Sequence, residues 1–310
     1  MREVASRSIF DTSLEQIDLP ELITVSESLT LVEVLHELQK MKIGAIGISR
    51  ESDLVGIFSE RDFLIRIVNQ VQDWKEKIIQ DFMTSKPLTL KSSNTLKDAI
   101  VLMIRRDFRH IPVYFAKDSK WKIISAKDVL KVLVNQFPES LNKYGVKTSW
   151  SVMELDAFGE NFSFSESDDN EQLSENSFLM PLRRAIFRKP LIVDRDESLA
   201  QVLSKMQQTR QAAAIVTRYE TKVEGIITER DFLFKIFDKI EMTEQTLVSQ
   251  YMTKKPHTLL SRHFICFAIN NMFKFNYRNL IIVNEDRNPL ATVTLMDILK
   301  VLTWNLISKV

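Results

Sequence analysis

The sequence predicts an α/β fold of the α+β kind, built from four related units that form two pairs. Its first support is a duplication: the block GIFSERDF at residues 56–63 returns as GIITERDF at residues 225–232, 169 positions later (225 − 56). Met83 and Met252 keep the same separation. A constant spacing of this kind indicates tandem copies of one structural unit. The second support is that helical and β-type runs alternate along both halves.

Each half also contains a weaker copy of its own block. KIISAKD at residues 122–128 and ATVTLMD at residues 291–297 follow the conspicuous blocks by the same 66 positions (128 − 62 and 297 − 231). The chain therefore divides into four units of about 60 residues, which we number 1 to 4 in chain order.

The first helix of a unit is predicted where a hydroxyl residue precedes an apolar run of helical period. In unit 1, Leu31, Val34, Leu35 and Leu38 recur at the spacing of one buried helix face. The helices predicted in this way are TLVEVLHELQKM (30–41), TLKDAIVLMIRR (95–106) and SLAQVLSKMQQT (198–209).

Two strands and a second helix are predicted after each first helix. The first of these strands is a short apolar run: AIGIS (45–49), HIPVYF (110–115), AAIVT (213–217) or LIIVN (280–284). A turn and another strand then lead into the second helix, which reads DFLIRIVNQV, DVLKVLVNQF, DFLFKIFDKI or DILKVLTWNL. A short strand such as PLTL (87–90) precedes the unit. Helices that join strands favour parallel or mixed pairing.

Composition restricts the class of protein. The 310 residues suffice for two domains, and a hydrophobic content of 45% supports a substantial core. A net charge of +1 argues against a chain-wide nucleic-acid surface, and no run reaches the ~18 apolar residues of a membrane span. Cys266 is the single cysteine, between Ile265 and Phe267, so we expect a buried thiol and a reducing compartment. The first ten residues lack a signal-peptide run, and we expect a soluble, cytoplasmic protein.

One region interrupts the repeat. Residues 148–182 contain no Lys or Arg but eight acids, together with Phe158, Phe162 and Phe164. This composition predicts a flexible linker. The alternative is an acidic segment that occludes a basic cleft until a ligand displaces it. The basic cluster that follows consists of Arg183, Arg184, Arg188 and Lys189.

The four units resemble cystathionine-β-synthase (CBS) domains, and the chain resembles two tandem CBS pairs, or Bateman modules. The motifs that carry the resemblance are IGAIGIS with LVGIFSERDFL in unit 1, and DFMTSKPLTL, FRHIPV and KIISAKDVLK in unit 2. The resemblance implies a small three-stranded mixed sheet with two helices in each unit, and sheet-to-sheet pairing with pseudo-two-fold symmetry. It implies a first pair over 1–138 (units about 20–70 and 80–138), a linker over 139–180 and a second pair over 181–310 (units about 181–240 and 250–305).

The resemblance also implies a ligand. CBS pairs commonly bind AMP, ADP, ATP or S-adenosylmethionine in the clefts between units, and they regulate another protein without chemistry of their own. In each unit a hydroxyl would contact phosphate, and an aspartate three residues later would accept hydrogen bonds from ribose. These residues are Ser59, Asp62, Ser125, Asp128, Thr228, Asp231, Thr294 and Asp297. The same Ser/Thr-x-x-Asp pattern is also a helix-capping box, so a purely structural role stays open.

Basic residues distinguish the four sites. The resemblance implies that Arg109 and His110 in unit 2, and Arg278 in unit 4, face phosphate, to which arginine donates two parallel bonds. His110 has the alternative of a packed strand residue. The corresponding Gly44–Ala45 and Ala212–Ala213 carry no charge but leave space for an adenine ring. Because Arg109 and His110 also lie near Ser125 and Asp128, that site is the first choice for a test.

Two further interpretations stay open. Arg61 and Arg230 precede the aspartates of units 1 and 3, where they would either reach phosphate or lie on the helix surface. The glycine before the hydroxyl is replaced by Lys122 in unit 2 and Ala291 in unit 4, which would narrow a cleft or, for lysine, add a cation.

The leading functional interpretation is a regulatory protein that senses an adenine nucleotide and modulates a partner protein. A structural or dimerisation scaffold with degenerate, ligand-free clefts is the alternative. An enzyme is disfavoured, because the sequence contains no Gly-rich phosphate loop, catalytic triad or metal cluster. No cofactor or metal is expected to be required. The two pairs would form either a four-unit disc within one chain or a homodimer.

Overall fold

The computed structural model describes residues 8–71, 73–136, 173–219, 221–237, 239 and 242–307. Within them, each unit runs strand, helix, strand, strand, helix, as the sequence predicts. The predicted α/β fold with four small mixed sheets is confirmed.

The elements of the first pair belong to two sheets. Unit 1 contains β1 (Thr24–Ser26), α1 (Leu31–Met41), β2 (Ala45–Arg50), β3 (Asp53–Ser59), α2 (Glu60–Asp62) and β4 (Thr84–Ser85). Unit 2 contains β5 (Leu90–Lys91), α3 (Leu96–Arg106), β6 (His110–Phe115), β7 (Lys120–Ser125) and α4 (Ala126–Val134).

The second pair repeats this order. Unit 3 contains α5 (Glu175–Phe178), β8 (Ile192–Asp194), α6 (Leu199–Thr209), β9 (Ala213–Arg218), β10 (Lys222–Thr228), α7 (Glu229–Asp231), α8 (Val248–Tyr251) and β11 (Thr253–Lys254). Unit 4 contains β12 (Thr258–Leu260), α9 (Ile265–Lys274), β13 (Asn279–Val283), β14 (Pro289–Thr294), α10 (Leu295–Leu302) and α11 (Trp304–Ile307).

Each sheet combines a parallel and an antiparallel pairing. β1 lies parallel to β2, with Val25 opposite Ile48, and β2 pairs antiparallel with β3. Units 2 and 4 have the three strands that the family resemblance implies, whereas units 1 and 3 have a fourth. The fourth strands, β4 and β11, come from the segments that lead into the next unit, and they pair antiparallel with β3 and β10. The run PLTL at 87–90 contributes only its last residue to a strand, β5.

The predicted first helices begin at the predicted hydroxyl residues. Thr30, Thr95 and Ser198 cap α1, α3 and α6, each through a capping box. Two of the second helices differ from the prediction, because α2 and α7 continue as π-helical turns over Phe63–Ile67 and Phe232–Ile236. The backbone N–H of Val68 donates to the carbonyl of Phe63 five residues earlier, which defines the π turn.

Two buried cores hold the four units together, and each contains residues of both pairs. Leu35 of α1 and Leu203 of α6 belong to the core between units 1 and 3. Leu130 of α4 and Leu299 of α10 belong to the core between units 2 and 4. A smaller cluster, with Ile215 and others, joins the sheets of units 3 and 4. The two pairs therefore pack together within one chain, as the disc arrangement expects, and the homodimer stays a prediction.

The buried cysteine and one end of the predicted linker belong to the core between units 2 and 4. Cys266 is 3% exposed, as expected, and burial raises the pKa of its thiol to about 12. Phe178 in α5 and the adjacent Leu179 are buried in the same core, so the predicted linker does not extend to residue 180. The rest of the linker, including Phe158, Phe162 and Phe164, lies outside the described residues.

Candidate ligand-binding site

All four Ser/Thr-x-x-Asp sequences form helix-capping boxes. In unit 3, Oδ2 of Asp231 accepts hydrogen bonds from the backbone N–H and the hydroxyl of Thr228, at 2.8 and 2.7 Å. Thr228 Oγ1 in turn accepts from the backbone N–H of Asp231 at 3.3 Å. The pairs Ser59–Asp62, Ser125–Asp128 and Thr294–Asp297 repeat these contacts. The hydroxyl hydrogen already points to the aspartate, so it must turn away to donate to a phosphate.

A cavity of about 290 Å³, lined by several of the predicted site residues, lies between units 3 and 4. We call it the unit 3–4 cavity. Thr228, Asp231 and Arg278 from the second pair line it, as do Thr253, Pro256 and His257. The first pair contributes further lining residues, which are Glu60, Arg109, His110, Ser125 and Lys127. It is thus the place where the second pair's cleft meets the centre of the molecule.

A second cavity, of about 180 Å³, lies at the corresponding place in the first pair. Ser59 and Asp62 line it, together with Arg109 and His110. Arg109 and His110 thus line both cavities, the smaller one with Ser59 and Asp62 and the larger one with Ser125. Asp128, which the sequence placed with them at the preferred site, lines neither cavity. Asp297 also lines neither, and its Oδ1 accepts a hydrogen bond from Arg188 at 3.4 Å.

Buried ion pairs link the two pairs of units at the centre. Arg109 of unit 2 contacts Glu229 of unit 3 with 2.6 Å between Nη1 and Oε2. Glu60 of unit 1 accepts from Arg230 of unit 3 at 3.1 Å and from Arg278 of unit 4. Both glutamates are almost fully buried, Glu60 at 3% and Glu229 at 4% exposure. The two arginines implied to face phosphate are thus already paired with carboxylates of the other pair.

The charges at the centre are shaped by burial. Burial raises the pKa of Glu60, against the opposing attraction of Arg278 and Arg230. Burial also lowers the pKa of His110 to about 3, and the adjacent Arg278 and Arg109 add to this effect. His110 is consequently neutral near pH 7 and does not act there as the cation that its position suggested.

The open questions about Arg61 and Arg230 have structural answers. Arg61 Nη1 pairs with Asp107 at 3.0 Å, and Arg230 Nη2 also donates to the carbonyl of Lys42 at 3.1 Å. Arg230 lines the unit 3–4 cavity and Arg61 lines the cavity of the first pair. Neither side chain is simply a solvated helix residue.

The glycines have a different role from the one expected. A Cβ on Gly44 would lie 2.6 Å from Nη1 of Arg278, so a guanidinium group borders the space expected for an adenine ring, which Gly44 and Ala45 line in the cavity of the first pair. A Cβ on Gly56 would lie 2.2 Å from Sδ of Met83, and Gly225 has the same relation to Met252. The space beside Gly56 and Gly225 is therefore filled by the side chains of Met83 and Met252. Ala212 and Ala213 line a space of only about 20 Å³.

An aromatic stack forms part of the wall of the unit 3–4 cavity. The rings of His257 and Phe275 are nearly parallel, with centroids 4.8 Å apart and an interplanar angle of 15°. Phe275 and Tyr277 stack at 5.4 Å and 25°. His257 and Tyr277 line the cavity, where their rings offer flat surfaces to a planar ligand.

Sequence reasoning missed the two glutamates. Glu60 and Glu229 occupy the same position of the repeated blocks, GIFSERDF and GIITERDF, and this repetition was the available signal. Their arginine partners lie far away in the chain, since 218 positions separate Glu60 from Arg278. No local sequence pattern therefore indicates these ion pairs.

The described residues lack both a cluster of potential metal ligands and a helix that could span a membrane. They contain no group of three or more His, Cys, Asp or Glu side chains placed to hold a metal ion. They also contain no helix with both the length and the apolar character of a membrane span.

Comparison with known proteins agrees with this architecture. The chain is 23% identical over 300 residues to an Arabidopsis thaliana CBS domain-containing protein, CBSCBSPB5. The alignment covers 93% of this chain but only 53% of that protein. It therefore spans about half the length of this relative. A crystal structure from Methanocaldococcus jannaschii, described as a proposed archaeal homologue of γ-AMPK, matches with a TM-score of 0.67 at 15% identity. That match covers 92% of this chain and 97% of the archaeal one.

A second archaeal structure, an uncharacterized conserved protein from Pyrococcus horikoshii, has a TM-score of 0.57 at 17% identity. This match covers 94% of this chain and 100% of the Pyrococcus horikoshii chain. At 15% and 17% identity, the two structural matches establish the fold alone. The CBS domain family model matches four times, at residues 14–69, 79–135, 183–238 and 248–303. Each match contains the first three strands of one sheet, while β4 and β11 fall within the match that follows, and the chain belongs to the CBS domain family.

Proposed function

We propose that this protein is a regulatory sensor without catalytic activity, which binds an adenine nucleotide in the unit 3–4 cavity and modulates a partner protein. One observation carries the proposal: the family's Ser/Thr-x-x-Asp motif and an arginine meet there at a cavity of about 290 Å³. Small-molecule sites typically have volumes of about 300–1,000 Å³. Units 2 and 4 contribute the hydroxyl residues Ser125 and Thr294 to this cavity without their aspartates, whereas unit 3 contributes both Thr228 and Asp231. We therefore assign the primary site to the motif of unit 3.

Each part of the nucleotide has a suitable partner in this cavity. Arg278 would donate to the phosphate, and Thr228 would add a hydroxyl contact once it turns from Asp231. The carboxylate of Asp231 would accept from the ribose hydroxyls, since two oxygens provide more acceptor sites than its cap uses. The rings of His257 and Tyr277 would pack against the adenine base.

Regulation requires that the ligand favour one arrangement of the pairs over another. Arg278 is held by Glu60 of the other pair, so a phosphate that takes this arginine changes a contact between the pairs. Binding and inter-pair packing are thereby linked, which gives the ligand the differential affinity that a population shift needs.

The scaffold alternative has one observation in its favour. Arg109 and Arg278 are paired with Glu229 and Glu60, so the implied phosphate positions are already neutralised by protein carboxylates. In that case the central ion pairs would only fasten the two pairs together.

Calorimetric titration with AMP, ADP, ATP and S-adenosylmethionine distinguishes the two functions. We expect saturable binding of an adenosine phosphate, with a stabilisation of about 2.7 kcal/mol in thermal unfolding at a hundredfold excess over Kd. The variant Asp231→Ala should weaken binding by about tenfold or more, because it removes a hydrogen bond to a charged group.

Asp98→Ala is the matched control for this test. It removes the capping carboxylate of α3, and neither Asp98 nor its partner Thr95 lines the cavity, so its affinity should equal that of the wild type. Unchanged affinity in Asp231→Ala would make the assigned site wrong. No binding of any of the four compounds at millimolar concentration would leave the scaffold function as the better account.

A further inference from the structure

The lining of the unit 3–4 cavity includes buried carboxylates that binding of a phosphate does not require. Four side chains that line it are cationic, Lys127, Arg109, Arg230 and Arg278, and three are acidic, Glu60, Glu229 and Asp231. Asp231 serves the helix cap and pairs with Lys235 at 2.6 Å. Glu60 and Glu229 have no such local task, and both contact arginines that belong to the other pair of units.

We propose that Glu60 and Glu229 select the ligand by charge and restrict this cavity to nucleoside monophosphates over triphosphates. The inference rests on the proposed function and names its ligand class. The two carboxylates act as fixed negative charges beside the arginines that a phosphate would approach.

The first reason is competition for the arginines. Glu60 holds Arg278 and Arg230, and Glu229 holds Arg109 at 2.6 Å, so no arginine among these three is free of a carboxylate. Three guanidinium charges against two carboxylates leave one positive charge near the centre, to which Lys127 adds another. A monophosphate balances this excess, whereas each further phosphate adds negative charge that the buried glutamates repel.

The second reason is that the two glutamate side chains are buried, so their charges stay close to any ligand in the cavity. Both are buried, and charges in such sites are screened little by salt or water. Glu229 Oε1 lacks a hydrogen-bond partner within the described residues, so Arg109, which donates to Oε2, is the donor there that offsets the charge of this carboxylate. Repulsion of this kind against the wrong ligand is a common source of specificity.

The third reason is size. A volume of about 290 Å³ lies at the lower end of the range for small-molecule sites. Glu60, Arg109 and His110 of the first pair line the same cavity, and Glu60 contacts Arg278, so these side chains occupy space beside the arginine that would hold the phosphate.

Calorimetric titration at constant ionic strength and without Mg²⁺ tests the proposal. In the wild type, affinity should fall from AMP to ADP to ATP. Glu60→Gln and Glu229→Gln keep the shape of the side chain and remove its charge, so each should strengthen ATP binding more than AMP binding. We expect the ratio of the ATP and AMP dissociation constants to fall by about tenfold, which corresponds to about 1.4 kcal/mol.

Glu285→Gln is the control, because it removes the carboxylate that Arg262 contacts on the exposed surface of unit 4. Its AMP-to-ATP preference should match the wild type. An unchanged preference in folded Glu229→Gln, or tighter binding of ATP than AMP by the wild type, would overturn the charge selection while leaving the nucleotide sensor intact. If no nucleotide binds the wild type, the proposed function fails and this inference with it. If Glu60→Gln does not fold, Glu229→Gln alone separates selection by charge from selection by size, since only the former depends on the carboxylate.

Discussion

At the scale of single residues, His110 has the most unusual electrostatic environment in the candidate site. It lies where β6 begins, lines both cavities and has Arg109 and Arg278 as charged neighbours. Burial and these arginines lower its pKa to about 3, against an ordinary value of 6.5. Between these two pH values the unfolded chain binds a proton on this imidazole that the folded protein does not bind. His110 therefore makes the folded state less stable as the pH falls from about 6.5 towards 3.

We predict that His110→Gln removes part of the acid sensitivity of the protein. Between pH 6 and pH 5 the wild type should lose about 1 kcal/mol more unfolding free energy than the variant, because one proton is taken up on unfolding. Urea unfolding of both proteins at the two pH values measures the difference. Other titrating groups cancel in this comparison, so parallel pH profiles would mean that His110 titrates normally in the folded state.

Part of the candidate site could be predicted from the sequence, because the repeat places its motif residues at equivalent positions in the four units. Thr228 and Asp231 line the larger cavity, and Arg278 and Arg109 reach it, since their places follow from the repeat. The sequence did not reveal that the arginines are neutralised. That fact depends on which faces of the two pairs meet, and the same SERD or TERD run is compatible with several such arrangements.

At the scale of elements, the π turns of units 1 and 3 are stabilised from across the interface between the pairs. Nε2 of Gln207 in α6 donates to the carbonyls of Leu64 and Val68, at 2.8 and 2.7 Å. In the other direction, Gln39 in α1 donates to the carbonyl of Leu233 at 2.6 Å. A π turn leaves carbonyls without their usual helical partners, and these glutamines satisfy them.

We predict that Gln207→Leu lowers the free energy of unfolding by about 1–3 kcal/mol, because it leaves two carbonyls of the first π turn without a donor. Gln208→Leu is a matched control one position along the same helix. Gln208 is exposed and contacts only Ser204 of its own helix among the described residues, so its replacement should change stability by less than about 0.5 kcal/mol. Equal urea midpoints for the two variants would contradict a role of Gln207 in holding the turn.

The contrast between the helix types explains what sequence can predict at this scale. α1, α3 and α6 begin at the predicted residues, because capping boxes and apolar periodicity are local properties. The π turns were predicted as ordinary helices. Their geometry depends on glutamines more than 100 residues away in the chain, such as Gln207 for Leu64, and no window of local sequence contains both.

At the scale of the whole molecule, neither pair of units has a core of helices to itself. The core between units 1 and 3 takes Leu31 and Leu35 from the first pair and Leu199 and Leu203 from the second. The core between units 2 and 4 is shared in the same way. Loss of packing in one pair therefore exposes apolar surface of the other, and the four units should unfold as one cooperative system.

We predict that Leu203→Ala, a change in the second pair, lowers the unfolding midpoint of the first pair as well. Leu203 is fully buried, and its truncation should cost about 2–5 kcal/mol. Trp121 lies in β7 of unit 2, so a variant with Trp121 as its sole tryptophan reports the first pair by fluorescence. Leu290→Ala, at a position 37% exposed, is the control and should leave the midpoint nearly unchanged. If Trp121 keeps the wild-type midpoint in Leu203→Ala while the far-UV circular dichroism splits into two transitions, the pairs unfold independently. In that case the central ion pairs cannot couple a ligand in the second pair to the first.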